Sequence, residues 1–352
     1  MGGDGSSVEL SFIREGCSGF IGIYGSLSRQ QGSDVRQGLV GAAGPYSAHS
    51  RSKNQAVHSM NIQHKHFLTF DVEHWYEGYR YRGMSGWEGI APRDHIIVER
   101  LFDSLGKHNQ KATFFFTGRF AKDFPGLVRR CAELGHEVAS HSYEHRVIRR
   151  IASREEFRQD LRDSLNILAD LCGKPILGYR ATKWSVTPDN QEWVMSILAE
   201  EGLSYDSSFF PTFGADELRR NGRPLLIDLP GGRQILEIPA SGLNFGPLCV
   251  PVAGGLYFRA FPAWITLAML KQKERQGLCG MLCVHPYDLD LDSPNIAGGG
   301  ILFRLFRAYG VAQAWGRLDR LLSLKKFTSI ADWIQSAPSD LCRINYRDVK
   351  ND

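Results

Sequence analysis

The sequence predicts an α/β protein built on a parallel sheet, and three observations carry that prediction. Strand-like and helix-like segments alternate from about residue 66 onward, which is the pattern of βαβ units. Strand segments such as "ATFFFTG" are continuous apolar runs, as in strands covered on both faces. The polar clusters fall where strands end. That placement favours a barrel over an open doubly wound sheet, because barrel sites assemble from the C-terminal ends of several strands.

Along the chain, residues 1–60 are rich in Gly, Ser, Ala and Gln and show no periodicity, so they bury little. They are expected to be a disordered extension or a mis-assigned start, with the working chain beginning near Met60. "FLTFDV" then reads as a strand. Ala91 to Asn109 carries a helical stripe of Ile96, Ile97, Leu101, Phe102 and Leu105, with Pro92 suited to a first turn. Ala112 to Gly118 is a strand, "PGLVRRCAELG" a helix, and His136 to His141 a strand. Ser153, three residues before Glu156, opens a helix with a capping box that Gly173 closes. "ILGYRA" is strand-like, Thr187 to Gly202 helical, and Gly280 to Asp288 a strand. "LFRLFRAYGVAQAWGRLDRLLS" reads as one long helix. The expected organisation is an extension (1–60), a barrel (61–290) and a helical C-terminal extension packed on it (291–352).

The bulk numbers exclude several classes. Of 352 residues, 43% are hydrophobic and 23% charged, the balance of a globular protein. A net charge of +4 is spread along the chain, and basic residues are not interleaved with aromatics, which argues against nucleic acid. Seven scattered cysteines form no CxxC, so reduced thiols and a cytoplasmic location are expected. No secretory signal is read at the N-terminus. The longest apolar run, Phe261 to Leu270, is far short of the roughly 18 residues that span a bilayer. Gly298-Gly299-Gly300 lacks a following Lys-Ser/Thr and is a loop, not a phosphate cradle.

Five strand ends carry chemistry: "TFDVEH", "HEVASHSYEH", "GYRATKWS", "LSYDSSFFP" and "MLCVHPYD". His141 and His145, four apart, lie on one face if the backbone turns helically, a recurrent way to hold zinc. A lone HxxxH is more often a solvated or core pair. Here one of Asp71 and Glu73 can add a carboxylate, and two His plus one carboxylate leave open positions, as in catalytic sites. The second carboxylate, neutralised by Arg180, would then take a proton from water acidified by the metal. His285 is the candidate general acid, though without the other clusters it reads better as a core histidine bonded to a backbone carbonyl. Trp75, Tyr76, Trp184, Phe209 and Phe210 suit sugar-ring faces or ordinary packing.

These residues resemble the polysaccharide deacetylases of carbohydrate esterase family 4, the NodB-like group, over roughly residues 66–290. The likeness looks closest to the subfamily of exosortase-linked exopolysaccharide loci. Its "DVED", "HGxxH", "GYRAPSFS", "YDSS" and "LHPWE" stand where this chain has "DVEH", "HSYEH", "GYRATKWS", "YDSS" and "VHPYD". The C-terminal extension of that subfamily resembles "VPVAGGLYFR" onward. The resemblance implies a distorted (β/α)7 barrel that hydrolyses N-acetyl groups on amino sugars, with metal and a backbone N–H stabilising the oxyanion. By position, Asp71 matches the general base, Glu73, His141 and His145 the metal ligands, and Arg180 the arginine orienting the base. His285 matches the acid and Asp206 the carboxylate supporting it. Trp75, Tyr76, Lys183 and Trp184 are the expected substrate contacts. Three departures stand out. Val72 occupies the usual ligand position, so the roles of Asp71 and Glu73 could be exchanged. Thr182 replaces a proline in the loop that presents the oxyanion N–H near Lys183, and His74 replaces a second acid.

The implied cofactor is a divalent metal, zinc by default, with cobalt or nickel fitting the same ligands. The implied partner is an N-acetylated saccharide, with association to polysaccharide-synthesis machinery. The competing readings are a cyclic-ureide hydrolase of the allantoinase type and a saccharide-binding barrel without turnover. The latter would have lost a base or an acid, and neither is missing.

Overall fold

Val72 leaves the sheet with Asp71 and Glu73 on either side of it, and the strand geometry explains that arrangement. Alternate residues of a strand point to opposite faces. Leu68, Phe70 and Val72 face the helix-covered core, while Phe67 packs on the other face with Phe115, Ala139, Tyr205 and Met281. Asp71 is in phase with Phe67. Two carboxylates two positions apart therefore project to the same interior side.

The structure, a computed structural model, describes residues 65–210, 222–337 and 341–347, apart from positions 247, 253, 295 and 297–299. The expectation for residues 1–60 lies outside the described residues. Strand β1 (Lys65–Val72) is buried from His66 onward. Helix α1 (Glu77–Tyr81) follows it closely, and α2 (Asp94–Lys107) buries Ile97, Val98, Leu101, Phe102 and Leu105, much of the expected stripe. Strand β2 (Thr113–Phe116) leads to α3 (Gly118–Asp123), capped by Thr117, and to α4 (Pro125–Glu133), with proline in its first turn.

After β3 (Glu137–Ser140) comes α5 (Arg154–Cys172), whose Ser153 Oγ accepts from the Glu156 N–H at 3.1 Å. Its expected box is modified, because the Glu156 carboxylate accepts from Ala152 N–H, one residue further back. Gly173 ends the helix at φ +65°, where a side chain would be strained. Strand β4 (Gly178–Tyr179), α6 (Gln191–Glu200) and β5 (Tyr205–Asp206) complete the regular alternation.

The following segment is irregular. Strands β6 (Leu225–Asp228) and β7 (Gln234–Glu237) pair antiparallel, as do β8 (Gly242–Phe245) and β9 (Leu248–Pro251). Helices α7 (Gly255–Ala260) and α8 (Ala263–Arg275) lead to β10 (Met281–Val284). The chain continues through α9 (Gly300–Ala308), α10 (Val311–Leu324), β11 (Lys326–Thr328), α11 (Ile330–Gln335) and β12 (Cys342–Asn345).

The sheet runs β10-β1-β2-β3-β4-β5-β7-β6-β12, with β11 added to β1. Every pairing along it is parallel except β6–β7. The fold is thus α/β with a mostly parallel sheet, and seven parallel strands from β10 to β7 form its continuous part. Among the described residues no pairing joins the β10 edge to the β12 edge.

Two expectations are corrected. The segment after residue 290 is not only helical, because β11 pairs Lys65–Phe67 of β1 and β12 pairs Leu225–Asp228 of β6. The supposed long helix is two helices, broken at Gly310. That residue has φ +74°, and a Cβ there would lie 2.2 Å from the Arg259 carbonyl oxygen. The guanidinium of Arg259 also takes the carbonyls of Phe306, Arg307 and Tyr309 at 3.2, 3.1 and 2.6 Å, ending the first helix.

Close approach also fixes Gly178, where a Cβ would stand 2.0 Å from Tyr205 Cζ. Tyr205 cannot easily yield, because its hydroxyl donates to the buried Glu137 at 2.8 Å. Gly178→Ala should therefore destabilise the protein by about 1–3 kcal/mol, the usual cost of overpacking. Urea unfolding measures this, and an unchanged midpoint would refute the packing argument.

Candidate active site

Asp71 and Glu73 leave β1 on its interior side, and Met281, Cys283 and His285 alternate onto the interior side of the neighbouring strand β10 and its end. His141 follows β3, and Arg180 follows β4. Glu73, His141 and His145 are all buried, and one ligand atom from each lies within 4.8 Å of the others. Glu73 Oε2 meets His145 Nε2 directly and lies 4.0 Å from His141 Nε2.

The two histidines do not converge on a helix face, contrary to the sequence expectation. Ser142 and His145 have φ +65° and +53°, so the chain coils in left-handed geometry that such residues rarely adopt. Asp160 holds that turn by accepting from the N–H groups of Tyr143 and Glu144 at 2.8 and 3.0 Å. Ser142 Oγ accepts from His145 N–H at 3.0 Å.

The donor set suits a divalent cation. His141 Nδ1–H donates to the Arg180 carbonyl at 2.8 Å, since a carbonyl can only accept, and the lone pair is left on Nε2 facing the other ligands. Behind His145, Glu77 Oε2 stands 3.6 Å from Nδ1. Burial opposes charge on His145, but the carboxylates of Glu73 and Glu77 outweigh it and push the imidazole up to about 9. His141 goes the other way, to about 4, through burial and the charge of His145. Burial would raise Glu73, yet His145 holds it well below the usual carboxylate range. Tyr287, missed in the sequence, places its hydroxyl against Glu73.

Asp71 has a different environment. Its Oδ1 accepts from Arg180 Nη1 at 2.7 Å, and Oδ2 lies 3.9 Å from both His141 Nε2 and His285 Nε2. Burial raises this carboxyl, but Arg180 and the two histidines bring it below its ordinary value. Arg180 is itself fully buried. It also donates to Thr69 Oγ1 at 2.8 Å, to Ser207 Oγ at 2.9 Å and to the Ser207 carbonyl at 3.1 Å.

His285 is backed by a carboxylate, but not the expected one. Its Nδ1 bonds Asp288 Oδ2 at 3.0 Å, and Arg259 Nε bonds Asp288 Oδ1 at 2.7 Å. Asp206 instead bonds Ser208 Oγ at 2.6 Å and pairs with the buried Glu237. The two-residue strand β5 points it there, so the expectation that Asp206 supports His285 is corrected to Asp288. Asp288 and Arg259 were missed. The signal available was the Asp three residues after His285, a spacing that lets a side chain return to the same turn.

The substrate contacts divide. Trp75 is fully buried among Tyr76, Tyr79 and Ile296 and offers no surface to a ligand, which corrects that expectation. Tyr76 stacks on His74 and on Trp87 at 4.9 and 4.5 Å, so its ring faces are occupied. His74 turns away from the ligand trio and bonds Asp123 at 3.0 Å. Lys183 and Trp184 lie nearer to the trio, with the charge of Glu73 acting on Lys183. They have φ +53° and +54°, and the Trp184 ring lies 4.4 Å from the Arg180 guanidinium. Phe210 packs on Trp184 at 5.3 Å, whereas Phe209 is core.

Comparison with known proteins finds similar sequences and a similar fold. A family model described as polysaccharide deacetylase matches residues 66–194, and one described as a domain of unknown function, DUF3473, matches residues 207–335. A peptidoglycan-N-acetylglucosamine deacetylase of Bacillus cereus is 36% identical over 125 residues, which is 32% of this chain and 45% of that protein. A chitooligosaccharide deacetylase of Sinorhizobium fredii is 39% identical over 109 residues, 31% of this chain and 49% of that one. The chain thus spans about half the length of these relatives. A Mycobacterium smegmatis crystal structure described as a polysaccharide deacetylase shares the fold. It has a TM-score of 0.51 and 17% identity, covering 78% of this chain and 91% of the other.

The contact between His285 and Asp288 has a measurable consequence. Burial lowers His285, but the hydrogen bond and charge of Asp288 outweigh it and raise the imidazole above its ordinary value. Asp288→Asn removes the charge, so the His285 pKa should fall. The imidazole would then lose its proton at lower pH than in the parent protein. NMR titration of His285 in both proteins tests this, and an unmoved or raised value would exclude Asp288 as its partner.

Proposed function

We propose that the protein is a metal-dependent hydrolase that removes N-acetyl groups from amino sugars of a poly- or oligosaccharide. One observation carries the reading. A buried trio of two histidines and one carboxylate shares an interior with an arginine-bound carboxylate and a carboxylate-backed histidine.

Glu73, His141 and His145 would hold the cation, zinc by default, with cobalt or nickel suiting the same donors. When bound, it would supply positive charge that polarises the acyl oxygen and acidifies water. Asp71 would take a proton at Oδ2, because Oδ1 is committed to Arg180. His285 would deliver a proton from Nε2 to the leaving amine, while Asp288 accepts from Nδ1–H and keeps the ring oriented. The Lys183 backbone N–H, in the strained turn of residues 182–184, would donate to the developing oxyanion. Trp184 would cover one face of the sugar.

The names of the relatives support a saccharide over a cyclic ureide, since they specify peptidoglycan N-acetylglucosamine and chitooligosaccharide. An exopolysaccharide substrate, and association with the machinery that makes it, rest on the likeness of the motifs to that subfamily. A cytoplasmic location rests on the six free cysteines among the described residues, and no helix there is long and apolar enough to cross a membrane. The domain organisation proposed is a barrel over 61–290 with the following segment packed on it.

The two carboxylates make the test. Asp71→Asn should retain metal while deacetylation of an N-acetylglucosamine oligomer falls by roughly 10²–10⁴, the usual contribution of a general base. Glu73→Gln should bind metal weakly and recover activity in excess metal, and His141→Ala and His145→Ala should lose it too. A metal-poor, rescuable Asp71→Asn beside a metal-replete, inactive Glu73→Gln would exchange the two roles. Full metal content in all three ligand variants would overturn the trio.

A further inference from the structure

The turn that follows β10 supplies more to the site than the acid and its carboxylate. Strand β10 ends at Val284, and Pro286 opens the single turn Pro286–Asp288, where its fixed φ is suited. Asp288 Oδ2 closes the turn by accepting from the His285 N–H at 2.9 Å. Tyr287 lies between these residues, and its side chain leads elsewhere. One face of its ring stacks on the His285 imidazole, with centroids 4.7 Å apart and planes 14° from parallel. The Arg307 guanidinium lies over the same ring, 4.2 Å from its centroid. Two groups this close cannot share one face, so the tyrosine is sandwiched between them.

Arg307 is itself tethered, donating to the Trp75 carbonyl at 3.1 Å and to Ser293 Oγ at 3.3 Å. The sandwich therefore fixes where the Tyr287 hydroxyl points, and that hydroxyl hydrogen-bonds the Glu73 carboxylate. An ionised carboxylate only accepts, so the phenol donates. Each member of the trio then has a partner behind it. His141 Nδ1–H donates to the Arg180 carbonyl, and Glu77 stands behind His145 Nδ1. Glu73 has three side-chain torsions to fix, more than either histidine, and Tyr287 restrains them. Such outer partners orient a metal ligand before the metal arrives.

We propose that Tyr287 is a positioning residue for both halves of the site: its hydroxyl orients Glu73 for a divalent cation, and its ring, clamped by Arg307, keeps His285 from tilting. Asp288 holds His285 within the plane of the ring through Nδ1, and Tyr287 adds a restraint perpendicular to it. Arg307 belongs to α9, so a helix beyond the last strand of the site would act on metal affinity through Tyr287. The inference rests on the deacetylase reading and adds a side chain that links its metal ligands to its acid.

The test uses the full chain, stripped of metal and titrated with zinc against a chromophoric chelator. Tyr287→Phe keeps the ring and loses the hydroxyl, so its zinc Kd should rise by roughly tenfold to a hundredfold, the usual cost of removing a partner behind a metal ligand. The visible absorption of the cobalt-loaded variant should change as well, since it reports ligand geometry and not the stability of the fold. Arg307→Gln should weaken zinc binding in the parent and much less in Tyr287→Phe, because it acts through Tyr287. With zinc in excess, Tyr287→Phe should recover turnover of an N-acetylglucosamine oligomer, whereas Tyr287→Leu, which lacks the ring, should stay impaired in kcat. An unchanged zinc Kd or an unchanged cobalt spectrum in Tyr287→Phe would overturn the role of the hydroxyl and leave the trio standing. Equal recovery of the Phe and Leu variants would overturn the role of the ring. A parent chain that takes up no zinc would overturn the trio and this role with it. The expected shifts in zinc and cobalt binding, with no turnover by the parent, would keep the role of the hydroxyl and overturn the deacetylase reading.

Discussion

The arrangement depends on one buried cation. Arg180 places a full positive charge inside the sheet, where an unpaired ion would cost several kcal/mol, so its surroundings must be built to accept it. The polar and sulfur groups are drawn from three strands or strand ends. Thr69 and Asp71 come from β1, Ser207 from the end of β5, and Met281 and Cys283 from β10, with Nη2 3.1 Å from Met281 Sδ and Nη1 3.5 Å from Cys283 Sγ. The rings of Phe115 and Trp184 lie 4.0 and 4.4 Å from the guanidinium. Fixing Arg180 fixes the Asp71 rotamer, and the Arg180 carbonyl sets the tautomer of His141. The register of strands distant in sequence is thereby read out as the position of one carboxylate oxygen.

A second buried pair ties the later part of the chain to the same centre. Asp288 joins His285 on one side and Arg259 on the other, and Arg259 reaches the carbonyls at the end of α9. Space is tight along this path: a Cβ on Gly255 would lie 2.0 Å from Asp288 Oδ2. Arg259, Asp288 and His285 all fall within residues 207–335, matched by the domain of unknown function. That segment is therefore continuous with the site, and β10 within it is the direct neighbour of β1.

The sequence made much of this readable, for a definite reason. Asp71, Glu73, His141, His145, Arg180 and His285 sit at strand ends, where a reactive side chain interrupts an apolar run and stands out. Their convergence follows from parallel topology alone. The helix stripe over α2 and the cap at Ser153 are local patterns and were equally plain. What escaped depends on contacts remote in sequence. Arg259 and Asp288 are 29 positions apart, and the local hint of Asp288, its spacing three residues after His285, says nothing of the arginine behind it. The break at Gly310 exists because another backbone presses on it. Trp75 looked like a sugar platform because aromatic composition does not say which face of a short segment will be covered. Strands β11 and β12 are too short to carry a periodic signal.

The distribution of buried charge also bears on the roles proposed for the two carboxylates. Asp71 has Arg180, Asp288 has Arg259, and Glu77 has Arg80 at 3.3 Å. Glu73 is the site carboxylate whose close cationic neighbours are histidines. A guanidinium is permanent, so Asp71 is balanced at any pH and under any loading, as a base that must stay ionised requires. An imidazole is balanced only while it carries a proton, and it can exchange that proton for a cation. A carboxylate balanced in this way suits a ligand, since the compensation it needs is the one a bound metal would provide. The intervening Val72, which puts Asp71 and Glu73 in the same phase of the strand, lets both reach the interior without sharing one counter-ion.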